Sequence, residues 1–222
     1  GGVWSEAQQA ILFALRVPRV LTAAALGGLL GVAGVAFQAL LRNPLADPYV
    51  LGVSGGASLG GVIALLAGVA GLGVPLAAFV GALASLVAIE RMATSGGRLT
   101  VFTLLLTGAI FNAFSAALIY FLQSVASREE LSAIVFYLMG RVPSSGPVTL
   151  VALWAAGVAI TVALFASARD FNALTGGEEG AQQLGVDVER LKRRTFVLGS
   201  LATALAVATA GLIGFVGLVV PH

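Results

Sequence analysis

Eight charged side chains, Glu178, Glu179, Asp187, Glu189, Arg190, Lys192, Arg193 and Arg194, are gathered in one polar interval, Phe171–Arg194. They form a large share of all the charge present, so the first question is what chemistry they could do. Acid–base catalysis or metal binding would need convergent carboxylates with supporting histidine or cysteine ligands. The chain has no cysteine and one histidine, His222, at its last position, which removes thiolate sites and most other metal chemistry. It has no GxxxxGK[ST] sequence, so it does not hydrolyse ATP itself. The Gly-rich run Gly52–Ala57 lacks that lysine and a flanking strand, and reads as close helix packing. The polar interval has instead the spacing of two short capped helices. Thr175 and Glu178 have capping-box spacing, and Glu178 and Glu179 sit where a helix N-terminus favours negative charge. Gly185 is placed to stop the first helix, and Asp187 to cap a second that ends in the basic run. Ala181, Leu184, Val188 and Leu191 give the pair an apolar stripe, with a possible turn at Gly185. This is a folded polar plug. The plainer reading is a charged loop between two membrane helices.

The elements around this plug are set by composition. The chain is 59% hydrophobic and 10% charged, with mean hydropathy +1.02, against roughly 25% charged in soluble domains. Uncharged apolar runs recur over Val20–Leu41, Tyr49–Ile89, Leu99–Ser127, Val142–Ala168 and Thr195–His222. A bilayer core of about 30 Å needs about 20 helical residues, so Tyr49–Ile89 reads as two spans, split around Gly71–Pro75. The runs lack the period-two alternation of a β-barrel. The expected class is all-α, a polytopic transmembrane bundle with six to seven helices in a single domain over residues 1–222. The net charge of +2 gives no reason to expect nucleic acid, and no signal peptide is recognisable. A Gly-Gly start without Met suggests a piece of a longer chain.

Taken in order, Gly1–Leu15 reads as an interfacial helix with Trp4 near the headgroups, and Pro18 opens the first span. Gly27, Gly31 and Gly34 offer close approach to a neighbouring helix, and Gln38 an interhelical hydrogen bond. The turn Arg42–Pro48 is bounded by prolines. Span three is roughly Leu76–Arg91. Span four, Val101–Gln123, carries Asn112, Ser115 and Tyr120; Asn112, Ser115 and Ile119 share a face. A short amphipathic helix over Ser127–Gly140 and span five, Val148–Ala168, precede the plug. Span six, Arg194–Ala210, presents Ala202, Ala206 and Ala210 as a small-residue face, and Gly211–His222 starts a further short helix. Of the loop cations, Arg42, Arg91, Arg98, Arg169, Arg190, Lys192, Arg193 and Arg194 fall on one side, and Arg16, Arg19, Arg128 and Arg141 on the other. Eight against four puts the plug on the cytoplasmic side. No Asp, Glu, Lys, Arg or His lies well inside a span, which disfavours proton- or sodium-coupled carriers.

Glu178-Glu179-x-Ala181-x-x-Leu184-Gly185-Val186, an apolar helix, and then Gly214-Phe215-Val216-Gly217-Leu218-Val219-Val220-Pro221-His222 strongly resemble the FecCD family. Those are the permease subunits of ABC importers for iron–siderophores, haem and cobalamin. Arg16-Val17-Pro18-Arg19 and Arg42-Asn43-Pro44-Leu45-Ala46-Asp47-Pro48-Tyr49-Val50-Leu51-Gly52-Val53-Ser54-Gly55-Gly56-Ala57 resemble it as well. Two departures stand out: the family's usual LGEE reads Gly176-Gly177-Glu178-Glu179, so that the leucine is lost, and Tyr137 stands where its WxMG-type segment commonly has Trp.

The resemblance implies a type II ABC importer permease of ten helices, of which the first and the last two or so are missing here. It implies that Glu178, Glu179, Ala181, Leu184 and Gly185 dock onto a cytoplasmic ATPase subunit. It places Asn112, Ser115 and Tyr120 along the translocation pathway and Val101, Phe102 and Thr103 near its cytoplasmic gate. The implied partners are a second permease copy, two ATPase subunits and a periplasmic or lipid-anchored binding protein. The implied home is a bacterial or archaeal cytoplasmic membrane. No cofactor is expected on the chain itself, ATP being used by the partner. A lining without ionisable groups suits a bulky organometallic cargo, iron–siderophore first, whereas a bare cation would need rings of oxygen ligands or charges. The alternative class is an energy-independent channel or secondary carrier.

Overall fold

The first apolar run forms one continuous helical rod. In the computed structural model, which describes residues 5–95 and 98–222, α1 (Glu6–Ala10) passes through a π-helical stretch, Ile11–Arg16, into α2 (Val17–Leu41). A separate interfacial helix over Gly1–Leu15 is therefore not formed, and Trp4 lies outside the described residues. The physical reason centres on Pro18. Lacking an N–H, it leaves the Ala14 carbonyl without its i+4 donor. The π stretch lies immediately before it, and the Ser144 hydroxyl lies 3.2 Å from the Ala14 and Leu15 carbonyls as a donor. With those groups satisfied, the helix runs on from Glu6 to Leu41.

The remaining long elements are α3 (Val53–Leu66), α4 (Gly73–Ala93), α5 (Val101–Val125), α7 (Pro147–Phe165) and α10 (Val188–Ala210). Four helical segments, Glu6–Leu41, α4, α5 and α7, are long and apolar enough to cross a membrane among the described residues. Two more helices complete the bundle but fall short of that description. α3 has 14 residues, about 21 Å at 1.5 Å each, and α10 starts with charged turns. Between α4 and α5, a minimal antiparallel pair, β1 (Thr94–Ser95) and β2 (Arg98–Leu99), interrupts the all-α pattern, with Thr94 opposite Leu99. At the other end of α5, α6 (Arg128–Leu138) starts with a capping box between Ser127 and Glu130. The short helices α8 (Ala168–Leu174), α9 (Glu178–Gln183) and α11 (Val216–Val219) lie outside the long spans.

The core follows the small residues. α10 buries Ala202, Ala206 and Ala210 as expected, together with Phe196 and Gly199, against Phe37, Leu30 and Ala33 of α2. On α2 the close approach falls at Gly31 and Gly34 and not at Gly27, around which a side chain would meet nothing. A methyl group at Gly34 would run into the carbonyl of Gly217 in α11.

What lets α3 be short is irregular backbone inside the bundle. Leu51 and Gly52 pack on Gly108, seven residues into α5 and therefore about 10 Å beyond its start. At such depth a non-helical backbone must find its partners within the protein. Gln38 Nε2 donates to the carbonyls of Ala46 at 3.5 Å and Leu218 at 3.2 Å, which is the interhelical role expected of it. The Tyr49 carbonyl accepts from Asn112 Nδ2 at 2.8 Å and the Ser54 hydroxyl at 3.0 Å, while the Tyr49 hydroxyl accepts the Ile213 N–H at 3.2 Å. Two unwound stretches, Asn43–Asp47 with the 3₁₀ turn Pro48–Leu51, and Gly211–Phe215, are thus knitted together by three polar side chains and a tyrosine.

Candidate functional site

The polar plug is built by α8, α9 and the first turns of α10. The second plug helix is not short: it is the head of α10, which runs unbroken from Val188 to Ala210 because nothing between Arg194 and Thr195 stops it. Asp187 caps it as expected, Oδ1 accepting the Arg190 N–H at 3.0 Å. The Thr175–Glu178 capping box is not formed. Thr175 instead closes α8, its hydroxyl donating to the Asn172 carbonyl at 2.7 Å, and the residue ahead of α9 is Gly177 at φ +102°. α9 ends at a Schellman motif: Val186 N–H donates to the Ala181 carbonyl at 3.0 Å and Gly185 N–H to the Gln182 carbonyl at 2.9 Å. That motif needs Gly185 at φ +84°, a backbone that a side chain would strain.

The turn at Gly185 separates the expected stripe into two directions. Ala181, Val188 and Leu191 are buried in the chain's own core, whereas Leu184 is 75% exposed. The structure thus places Ala181 in the core, where it seats α9, and not on the outward face. The outward face consists of Glu179, Gln182, Gln183, Leu184 and Gly185. Glu178 turns sideways: it receives Lys192 Nζ at 2.6 Å, and Lys192 also reaches Glu189 Oε1 at 3.2 Å. Arg194 steadies the rear of the plug by donating to the Ala163 carbonyl of α7 at 2.8 Å. Arg193 bonds Glu90 of α4 at 3.0 Å. Sequence reasoning missed Lys192 as a buried hub, although its being the chain's single lysine inside a run of arginines was visible.

The structure does not bring Asn112, Ser115 and Tyr120 together on one lining. Asn112 is consumed by the Tyr49 carbonyl and by the Gly55 N–H, which donates to Oδ1 at 3.1 Å. Ser115 is fully buried against α3 near Gly55, on the same face as Ile119, as expected. Tyr120 is 70% exposed on the other side of α5, in a stripe with Phe102, Leu106, Ile110 and Phe114. At the head of that helix Phe102 is exposed, and Val101 and Thr103 are half-buried. At the opposite end a cavity of about 670 Å³ is lined by Phe136, Tyr137, Met139, Arg141 and the end of α10.

The fold and this face define a polytopic helical membrane protein with a folded, charged plug at its basic end. The chain belongs to the FecCD transport family, whose sequence model matches residues 2–222. It is 41% identical over 218 residues to the cobalamin import system permease of Halobacterium salinarum, covering 98% of this chain and 59% of that protein. It is 40% identical over 220 residues to an uncharacterised ABC transporter permease of Bacillus subtilis, covering 96% of this chain and 62% of that one. The hemin transport permease of Yersinia pestis is 35% identical over 231 residues, covering 98% of this chain and 67% of that protein. A solved metal-chelate type ABC transporter in an inward-facing conformation superposes with a TM-score of 0.89 at 30% identity, over 98% of this chain and 70% of that chain. The chain thus spans about three fifths of the length of the first two relatives.

Proposed function

We propose that the full-length protein is the membrane permease subunit of an ATP-driven importer for a metal chelate. The observation that carries this reading is Leu184: a large apolar side chain, exposed at the tip of a plug turned by the Schellman motif and the Asp187 cap, at the end that carries most of the cations. Lipid does not cover a residue flanked by Glu179, Gln182 and Gln183, so a protein partner does. A soluble ATPase subunit fits, because this chain has no nucleotide-binding sequence of its own. ATP is used by that partner, two copies of which serve two permease copies in the cytoplasmic membrane, and a binding protein delivers cargo from outside. The exposed apolar stripe on α5, with Tyr120 as its polar member, is the face offered to the second permease copy and to the pathway. Val101, Phe102 and Thr103 stand at its cytoplasmic end. A channel or secondary carrier would have no use for the capped plug.

The names of the relatives bear on the cargo. Cobalamin permeases stand at 40–41% identity, an iron chelatin permease of Helicobacter pylori at 34% and the hemin permease at 35%. Cobalamin therefore moves ahead of ferric siderophore, which had been the first expectation. The test is uptake into proteoliposomes holding the full-length permease, its ATPase subunit and its binding protein. Radiolabelled cyanocobalamin, ferric siderophore, haemin and free metal salts are offered in parallel. Uptake of a chelate that depends on ATP is the expected result. Transport of free metal alone, or uptake without the ATPase subunit, would defeat the reading. Leu184→Asp should abolish co-purification of the ATPase subunit.

A further inference from the structure

Lys192 has 5% of its side chain exposed, and a buried ammonium is tolerated only when paired on more than one side. Its two partners belong to different parts of the protein. Glu178 is the first residue of α9, the docking helix, and Glu189 lies one turn earlier on α10 itself. Glu189 has a second bond. Its Oε2 accepts the backbone N–H of Leu99 at 2.6 Å, and Leu99 is the buried last residue of β2, two residues before α5 begins. The other arm of the same hairpin is tied to the same turn of α10, because Arg193 bonds Glu90 at 3.0 Å near the end of α4. A continuous chain of charge-assisted bonds therefore runs Glu178–Lys192–Glu189–Leu99. It joins the plug to the head of α5 at Val101–Thr103 through a side-chain carboxylate and a backbone N–H 90 residues apart in sequence.

We propose that Glu189 is a positioning residue that makes the docking helix and the head of α5 move as one body. Displacement of α9 by a bound ATPase subunit would then be delivered to the cytoplasmic end of α5. This rests on the docking reading given above. The mechanics are those of a short strut. Charge-assisted bonds, 2.6 Å at the two ends of the chain and 3.2 Å between Lys192 and Glu189, resist stretching, and the partly shielded site weakens competition from water. Nothing longer than one helical turn separates the two carboxylates' shared cation from the hairpin.

The experiment uses the full-length permease with its ATPase subunit in lipid nanodiscs and a reporter cysteine at Phe102, the exposed residue at the head of α5. Its rate of reaction with a charged maleimide is measured without nucleotide and again with ATP and orthovanadate. The rate should differ by about fivefold or more between the two conditions, the size of an ordinary intersite coupling. Glu189→Leu cuts the hairpin side of the strut but leaves Lys192 bonded to Glu178. It should erase the nucleotide-dependent difference while the ATPase subunit still co-purifies and still hydrolyses ATP. Glu189→Gln keeps an acceptor for the Leu99 N–H and should retain most of the difference. A purely structural role would lower assembly in step with the reporter, whereas the strut predicts an intact complex with a silent reporter. Should Glu189→Leu fail to insert, Arg193→Gln cuts the other hairpin arm and should roughly halve the response, again a coupling-sized effect. A full response in Glu189→Leu, loss of the ATPase subunit from it, or no response in the unaltered strut would each overturn the proposal. The docking reading fails separately, if Leu184→Asp still retains the ATPase subunit.

Discussion

Ala181 and Leu184 are three residues apart, and substitutions at them should separate folding of the plug from its use. Ala181→Arg forces a charge into a fully buried site, at a cost of several kcal/mol when unpaired. It should expose residues 175–187 to limited proteolysis. Leu184→Asp changes only an exposed tip and should leave the digestion pattern unaltered while ATPase binding is lost. Lys192→Met should lower thermal stability by about 1–3 kcal/mol, at the smaller end because both carboxylates are over a third exposed. Circular dichroism melts of the detergent-purified protein would register the shift. At this scale the sequence was legible wherever one residue decides a local backbone: Gly185 and Asp187 stop and start helices where their chemistry says. Thr175 was not legible, because its hydroxyl had two backbone choices and the preceding helix took it. Nor was the inward turn of Ala181, since a φ of +84° at Gly185 rotates the stripe after it.

Helix by helix, apolar run length located α4, α5 and α7 within a few residues, because hydrocarbon thickness is an external ruler. The first helix, by contrast, starts at Glu6, well ahead of Val20, and α10 at Val188, ahead of Arg194. The departures sit where the backbone finds partners that no local pattern announces. The π stretch before Pro18 depends on Ser144, and the unwound Asn43–Gly52 segment depends on Asn112. Asn112→Leu removes a donor from the Tyr49 carbonyl and the acceptor of the Gly55 N–H, costing about 1–3 kcal/mol for a group left unmade. It should speed hydrogen exchange at Gly55 and the first turn of α3 while α7 is unchanged. Gly34→Leu should expel α11 from α2, which a crosslink between cysteines at Gln38 and Leu218 would report by its loss. On α6, Glu130 has its carboxyl held below the usual range by the Ser127 N–H and then by the Ser127 hydroxyl. A lowered carboxylate value means stabilisation that is present above the ordinary glutamate range and lost as pH falls through the lowered value. Fraying of α6 on acidification should therefore be absent in Glu130→Gln.

Across the whole molecule, the eight basic residues counted to one side do lie with the plug. Glu90, Leu99 and Glu178 are bonded there to Arg193, Glu189 and Lys192, and Arg42 approaches Gly177. Single cysteines at Gln182 and at Glu129 in spheroplasts should react oppositely with an impermeant maleimide, Glu129 from outside and Gln182 only after lysis. The reverse pattern would invert the topology. The unwound stretch ahead of α3 has a consequence for how the protein is made. Its backbone at Tyr49 waits for Asn112, emerging 63 residues later, and its hydroxyl for Ile213, 164 residues later. A ribosome adding about 5–20 residues per second leaves those two bonds unmade for seconds. During that interval α3, at 14 residues, is too short to settle alone in the bilayer. The nascent chain should accordingly keep residues 43–52 beside the insertion machinery, open to water, and release them only as α5 and then α10 arrive.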